Sequence, residues 1–252
     1  MKESKKVGIL VNGSIRAAGV TLYTRCGKTV VRAAKSQQPR RNTRGQFVAR
    51  QRMKHATALW QMLRLVDPVF DGGNSSYGRF CTLMRRLPVV FTPRVGATSG
   101  ATLLLPEMPV SDGPLPVVRQ WLGEVDGVPA LLTDLKKSAL HRGDELCLYT
   151  LHQGLEGRKP VVRVSCQRFT PSDWTNGRSS DGVTPRVVDG CIALAGSVFA
   201  DTMTGWALVR FNGGQCSSQT VVTQCTYYQS FATEEALLEA AATYGGLTGE
   251  WS

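Results

Sequence analysis

The chain has 252 residues, 42 % of them hydrophobic, with a formal net charge of +11. That length and apolar content can build a substantial core and exclude disorder throughout. Fifteen of the thirty Lys and Arg residues precede residue 65, where Glu3 is the only acid, so residues 1–64 carry a formal +14 and the remaining 188 about −3. A field this lopsided points to an anionic partner, because like charges repel within a compact state.

In chain order, Val7-Gly8-Ile9-Leu10-Val11 is followed by Asn12-Gly13. This run is too short for a signal h-region, and no stretch reaches the roughly 18 apolar residues of a membrane span. The reading is a soluble protein with no membrane partner. Residues 7–11, 15–25 and 28–34 have strand composition and are separated by Asn12-Gly13 and Cys26-Gly27. A basic β-ribbon is predicted, its hairpin at Gly27 bringing two arginines near each other. Gly27-Lys28-Thr29 lacks the earlier glycine of a phosphate-binding loop, since Leu22 stands there, and Val30-Val31 continues a strand where that loop needs a helix.

Lys35 to Gly45 has no apolar residue to bury except Pro39 and reads as an extended arm carrying Arg40, Arg41 and Arg44. From Gln46 the period becomes helical: Ala49, Met53, Ala56, Trp60 and Leu63 make a stripe joined by Leu59, Met62 and Val66, and Pro68 ends it. Met53, Trp60 and Leu63 are the predicted packing interface. Arg50, Arg52, Lys54 and His55 fall on other faces. Arg40, Arg41, Arg44, Arg50, Arg52 and Lys54 are therefore the candidate partner-binding set, because arginine forks suit phosphate and carboxylate alike. The arm has no aromatic residue before Phe47, so base stacking is not indicated, and an acidic protein neighbour or a nucleic-acid backbone fits equally.

Residues 69–252 read as a β-sandwich-like region, with a division into two subdomains placed near 110–116. Predicted strands are Phe80 to Met84, Pro88 to Phe91, Ala101 to Leu105, Val117 to Leu122, Glu145 to Gln153, Pro160 to Phe169, Gly190 to Phe199, Gly205 to Asn212 and Gln219 to Tyr228. Prolines break up residues 88–116, which argues for edge or irregular segments there. A short terminal helix is predicted after Thr233, ending at Gly245. The fold class is thus mainly β and antiparallel, with a ribbon, arm and helix over residues 1–68.

Seven cysteines without a CxxC pair suggest reduced thiols made in a cytoplasm, and neither they nor His55, His141 and His152 show metal or triad spacing. No cofactor, metal or catalytic residue is expected, and the three histidines would become relevant to catalysis only where a carboxylate meets His141 or His152.

Tyr23-x-Arg25, the arm Pro39-Arg40-Arg41-Asn42-Thr43 and Gln46-Phe47-x-x-Arg50-Gln51-Arg52 opening a helix resemble an uncharacterised family of Bacteroidetes and phage-like proteins. Gly205-Trp206-Ala207-Leu208-Val209-Arg210, with Gly214 and Ser217-Ser218, is similar to that family's last hairpin. In this chain Pro39 precedes the arginines, so the family's Asn-Pro-Arg-Thr order is not kept. The resemblance implies a phage or mobile-element context, with virion proteins of crAss-like phages as one home, and assigns no catalytic residue. The expectation is a non-enzymatic component of a bacteriophage particle, an auxiliary head, capsid or portal-region protein made in the bacterial host cytoplasm. Its partners would be capsid or portal proteins and packaged DNA within a large assembly. The alternative is a soluble nucleic-acid-binding protein using residues 35–64.

Overall fold

A computed structural model of the chain describes residues 14–17, 20–25, 28–33, 44–72, 75–87, 104–156, 159–170 and 182–224. The chain divides into two compact units, Met1–Asn42 and Thr43–Ser252.

The first unit contains an antiparallel three-stranded sheet of β1 (Ser14–Ala17), β2 (Val20–Arg25) and β3 (Lys28–Ala33). Arg25 pairs with Lys28, which confirms a hairpin across Cys26-Gly27. The register does not bring Arg25 beside Arg32. Arg32 lies opposite Thr21, and Arg16 lies opposite that same threonine from β1. The expected strand at 7–11 falls outside the described residues, as do residues 35–43 of the arm read over Lys35 to Gly45 and the terminal helix after Thr233, while Arg44 and Gly45 of that arm already belong to the first long helix.

The second unit is mainly β, as its composition led one to expect, and has three layers. One sheet has the order β4 (Pro109–Pro114), β12 (Gln215–Thr220), β11 (Thr204–Asn212), β7 (Glu145–Glu156), β8 (Lys159–Phe169), with β13 (Val222–Thr223) also on β11. The other is β5 (Gln120–Val125), β6 (Val128–Lys136), β10 (Cys191–Ala195), β9 (Thr184–Val188). Every strand pair in both is antiparallel.

Alternation along the strands sorts side chains between layers. Leu146, Leu148, Trp206 and Leu208 of the larger sheet meet Leu131, Ile192 and Leu194 of the smaller one, with Phe199 against the Trp206 ring at 5.2 Å. The intervening residues Cys147, Tyr149, Leu151, Ala207 and Val209 face the helices. β11 is buried on both faces over Thr204 to Arg210, which is why Trp206-Ala207-Leu208-Val209 is continuously apolar.

The helical layer is α1 (Arg44–Leu63) and α2 (Ser76–Met84). Phe80 to Met84, expected as a strand, is helical. Tyr77, Phe80, Cys81 and Met84 recur at helical spacing, and the Ser75 hydroxyl accepts from the Gly78 amide at 3.1 Å as an N-cap. Because α1 shares its apolar core with the sheet, it belongs to the second unit, and the division between units falls after Asn42 where the sequence reading draws it after residue 68.

The smaller sheet contains two strands that the sequence reading does not name, β6 and β9. Both hairpins close on Asp-Gly pairs in the left-handed region, Asp126-Gly127 at φ 52° and 74° and Asp189-Gly190 at φ 51° and 79°, the conformation of a type I′ turn. Pro109 and Pro114 lie in β4, the outermost strand of its sheet, where a missing amide hydrogen costs least.

Candidate functional site

The predicted partner-binding residues fall partly outside the described residues and partly on α1. Arg40 and Arg41 lie outside the described residues, and Arg44 is the first residue of α1. Arg50 and Lys54 are exposed on α1. Arg52 is only partly exposed and donates Nη1 to the Arg85 carbonyl at 3.1 Å, tying α1 to the C-terminal end of α2.

The packing residues also separate. Leu63 is buried, and the Trp60 ring lies 5.9, 5.7 and 5.4 Å from Phe70, Tyr77 and Phe80. Met53 is 39 % exposed. The buried face instead runs through His55, Ala56, Leu59 and Leu63, rotated from the stripe that begins at Ala49 and Met53. The Thr57 hydroxyl, bonded to the Met53 carbonyl at 2.7 Å and the Tyr77 hydroxyl at 3.0 Å, marks the flank that contacts α2.

In the N-terminal unit Lys28 and Arg32 are exposed on β3, and between them Val31 is 63 % exposed. The pairs Arg25–Lys28 and Thr21–Arg32 put cationic residues at both ends of the β2–β3 ribbon. Closely spaced like charges on a small sheet favour an anionic counter-surface.

The described residues of the second unit include three polar groupings that sequence spacing does not reveal. At one end of the larger sheet, His152 of β7 lies opposite Thr204 of β11. Thr204 Oγ1 donates to Asp201 Oδ2 at 2.7 Å and lies 2.7 Å from His152 Nδ1, which is 3.2 Å from the same carboxylate oxygen. Burial pushes the Asp201 carboxyl up, but bonds from the Thr204 hydroxyl, the Met203 amide and the His152 ring outweigh it and hold it below the ordinary range. With Thr204 donating to Asp201, its oxygen accepts from Nδ1–H, which leaves Nε2 as the basic nitrogen. A nucleophilic triad places hydroxyl and carboxylate on opposite ring nitrogens. Here both converge on Nδ1, so the grouping pins the turn before β11 and does not activate Thr204.

At the other end, Arg210 Nη2 reaches Asp144 Oδ2 at 2.6 Å and the Ala139 carbonyl at 3.1 Å. Asp144 also accepts from Asn212 Nδ2 at 2.6 Å and the His141 amide at 2.5 Å. Thus His141 meets a carboxylate through its backbone. Burial raises the Asp144 carboxyl, and the bonds from Arg210, Asn212 and His141 together with the Arg210 charge bring it below the ordinary range.

The third grouping lies on the helix-facing side of β7–β8. Tyr149 is opposite Cys166, and Cys147 is opposite Arg168, so the two cysteines are diagonal neighbours on one face. Bonding to Cys166 and burial raise the Cys147 thiol, and burial chiefly raises the Tyr149 hydroxyl. Cys166 is lowered by its bond with Cys147, against burial and with help from Arg168 and Tyr149.

Among the described residues no three His, Cys, Asp or Glu side chains are arranged to hold a metal ion, and no helix is long and apolar enough to cross a membrane. Comparison with protein-family models, curated proteins and solved structures finds no match to this chain.

Proposed function

We propose that the chain is a structural component of a bacteriophage particle, an auxiliary head, capsid or portal-region protein, whose three-layered body is anchored by a cationic N-terminal unit. The observation that carries this reading is that the division of charge follows the division of structure. Residues 1–42 hold ten bases and one acid, a formal +9, whereas residues 43–252 hold twenty bases and eighteen acids, a formal +2. A unit of that composition cannot neutralise itself, and its counter-charge comes from another surface. The phage context rests on the resemblance of the Tyr23-x-Arg25, Arg40-Arg41 and Gln46 to Arg52 motifs alone. The anchor in this reading centres on Arg40 and Arg41 of the N-terminal unit; Arg44, Arg50 and Lys54, on α1 of the second unit, add to the partner-binding set, while Arg52 serves the α1–α2 contact. No catalytic role, cofactor or membrane is assigned. The protein is made in the host cytoplasm and resides in the virion.

Quantitative mass spectrometry of sedimented particles tests the reading. The expected result is a fixed copy number that survives nuclease, with loss of the chain from particles when Arg40 and Arg41 are both changed to Glu. Normal incorporation of that variant overturns the proposal.

The basic composition of residues 35–64 favours one second reading, a nucleic-acid-binding protein using that stretch. Its signature is affinity for duplex DNA that falls steeply with salt. Equal binding by a chain lacking residues 35–64 excludes it.

A further inference from the structure

The charge of the second unit is itself divided. Residues 44–87, the stretch of the helical layer, hold eight bases and two acids, a formal +6, whereas residues 88–252 hold twelve bases and sixteen acids, a formal −4. Both acids of the helical stretch, Asp67 and Asp71, lie between the helices, so residues 44–66 and 75–87 contain none.

The fold gathers the bases of these acid-free stretches. Arg50, Lys54, Thr57, Gln61 and Arg64 recur at alternating four- and three-residue steps along α1 and the turn that follows it, and all are exposed. That phase is opposite to the buried His55, Ala56, Leu59 and Leu63. At 1.5 Å of rise per residue the stripe from Arg50 to Arg64 is about 21 Å long. α2 runs antiparallel to α1, since Arg52 meets the Arg85 carbonyl while Thr57 meets the Tyr77 hydroxyl. Arg85 and Arg86, exposed at the C-terminal end of α2, therefore stand beside the Arg50–Lys54 end of the stripe. Arg79 is used elsewhere, its guanidinium paired with Asp112 at 2.5 Å.

We propose that this outer face of α1 and α2 is a docking surface for the sugar–phosphate backbone of duplex DNA, with Arg50, Lys54, Arg64, Arg85 and Arg86 as its contacts. Charge complementarity calls for an anionic partner, and the rest of the face decides which. Protein interfaces centre on apolar and aromatic side chains and are poor in lysine, whereas DNA interfaces are polar and cationic. Here the stripe is Arg, Lys, Thr and Gln. Single strands are held by stacking on aromatic rings, but Trp60 is packed 5.9, 5.7 and 5.4 Å from Phe70, Tyr77 and Phe80, which turns the described rings of this layer toward one another. What remains is a row of donors that suits phosphates and reads no bases. The choice of DNA as the duplex rests on the particle reading; the surface goes beyond it, because Arg85 and Arg86 belong neither to the N-terminal anchor nor to residues 35–64.

The test is fluorescence anisotropy of the full chain on a short labelled DNA duplex at several salt concentrations. Two double variants, Arg50→Gln with Lys54→Gln and Arg85→Gln with Arg86→Gln, are each expected to lower the slope of log affinity against log salt by about 2, since each phosphate contact contributes about 0.9. The Arg85 change spares the carbonyl that holds Arg52. Arg119→Gln with Arg186→Gln, exposed at the smaller sheet, removes the same charge and is expected to leave the slope as it is in the parent. An unchanged slope in both helix variants, an equal drop in the Arg119 and Arg186 variant, or tighter binding to a single strand or to polyglutamate than to the duplex overturns the proposal. The particle reading is scored apart from this, by incorporation that depends on Arg40 and Arg41, which every variant here retains.

Discussion

The Arg210 guanidinium and the Asp144 carboxylate meet at 2.6 Å with side chains 9 % and 0 % exposed, at the end of β11 and just before β7. The pair closes one end of the sandwich: Arg210 also holds the Ala139 carbonyl, and Asp144 holds Asn212 and the His141 amide. Removing one partner strands the other charge away from water, where Arg210 Nε already has no bond. Asp144→Ala is expected to cost about 3–5 kcal/mol in urea unfolding, and the double change Asp144→Leu with Arg210→Met to recover a large part of it. A double variant no more stable than Asp144→Ala would show that the loop geometry, and not the stranded charge, is what matters.

Acid should weaken the fold through both low-lying carboxyls. For Asp144 and Asp201 burial acts upward, but hydrogen bonds leave each below its ordinary value. A group lowered in the folded state contributes stability above its unfolded value of about 3.9, and loses it as the pH falls through the lower folded value. Urea midpoints should therefore be flat above about pH 5 and drop below pH 4. Asp201→Asn should shrink that drop, and an equally steep acid limb in Asp201→Asn would remove Asp201 from the account.

The rotation of α1 gives a contrast within one helix. Leu63 is 1 % exposed and lies in the helix-facing core, whereas Met53 is 39 % exposed. Leu63→Ala is expected to cost about 2–5 kcal/mol, and Met53→Ala to stay within about 0.5 kcal/mol. Both are measured by denaturant midpoints with unchanged slope. Comparable losses would mean that the helix packs on the face its apolar spacing suggests.

That rotation shows where sequence pattern stops being informative. The 3.6-residue period of α1 is plain, but its phase depends on tertiary partners. Arg52 turns toward the Arg85 carbonyl and His55 is buried, both on a face that polarity assigns to water. β11 was legible because burial on both faces demands an unbroken apolar run. β5–β6 and β9–β10 carry a readable Asp-Gly signal at 126–127 and 189–190, and α2 an apolar spacing at 77, 80, 81 and 84. These signals are local and were available. The polar groupings were not, since Thr204 with His152 and Tyr149 with Cys166 depend on strand register, and a one-residue slip would exchange every face. The local exceptions are two turns, where the Met203 amide donates to Asp201 Oδ1 at 2.8 Å and the His141 amide to Asp144 Oδ2 at 2.5 Å.

Gly205 offers a packing test free of backbone conformation. It lies in β11 between Leu151 of β7 and Thr223 of β13. A Cβ there would overlap Val221 Cγ1 and stand 3.3 Å from both Leu104 methyl carbons. Val221 and Leu104 are 2 % and 0 % exposed, so neither can swing into solvent, and Leu104 is tied by its amide to Gln153 Oε1 at 3.0 Å. Gly205→Ala should cost about 1–3 kcal/mol, the range for an added methyl in a filled core. Combining it with Val221→Ala should be less damaging than the sum of the two single changes, because the second removes the atom that the first strikes. Strict additivity in the double-mutant cycle would mean that the strand edge, and not this contact, absorbs the methyl group.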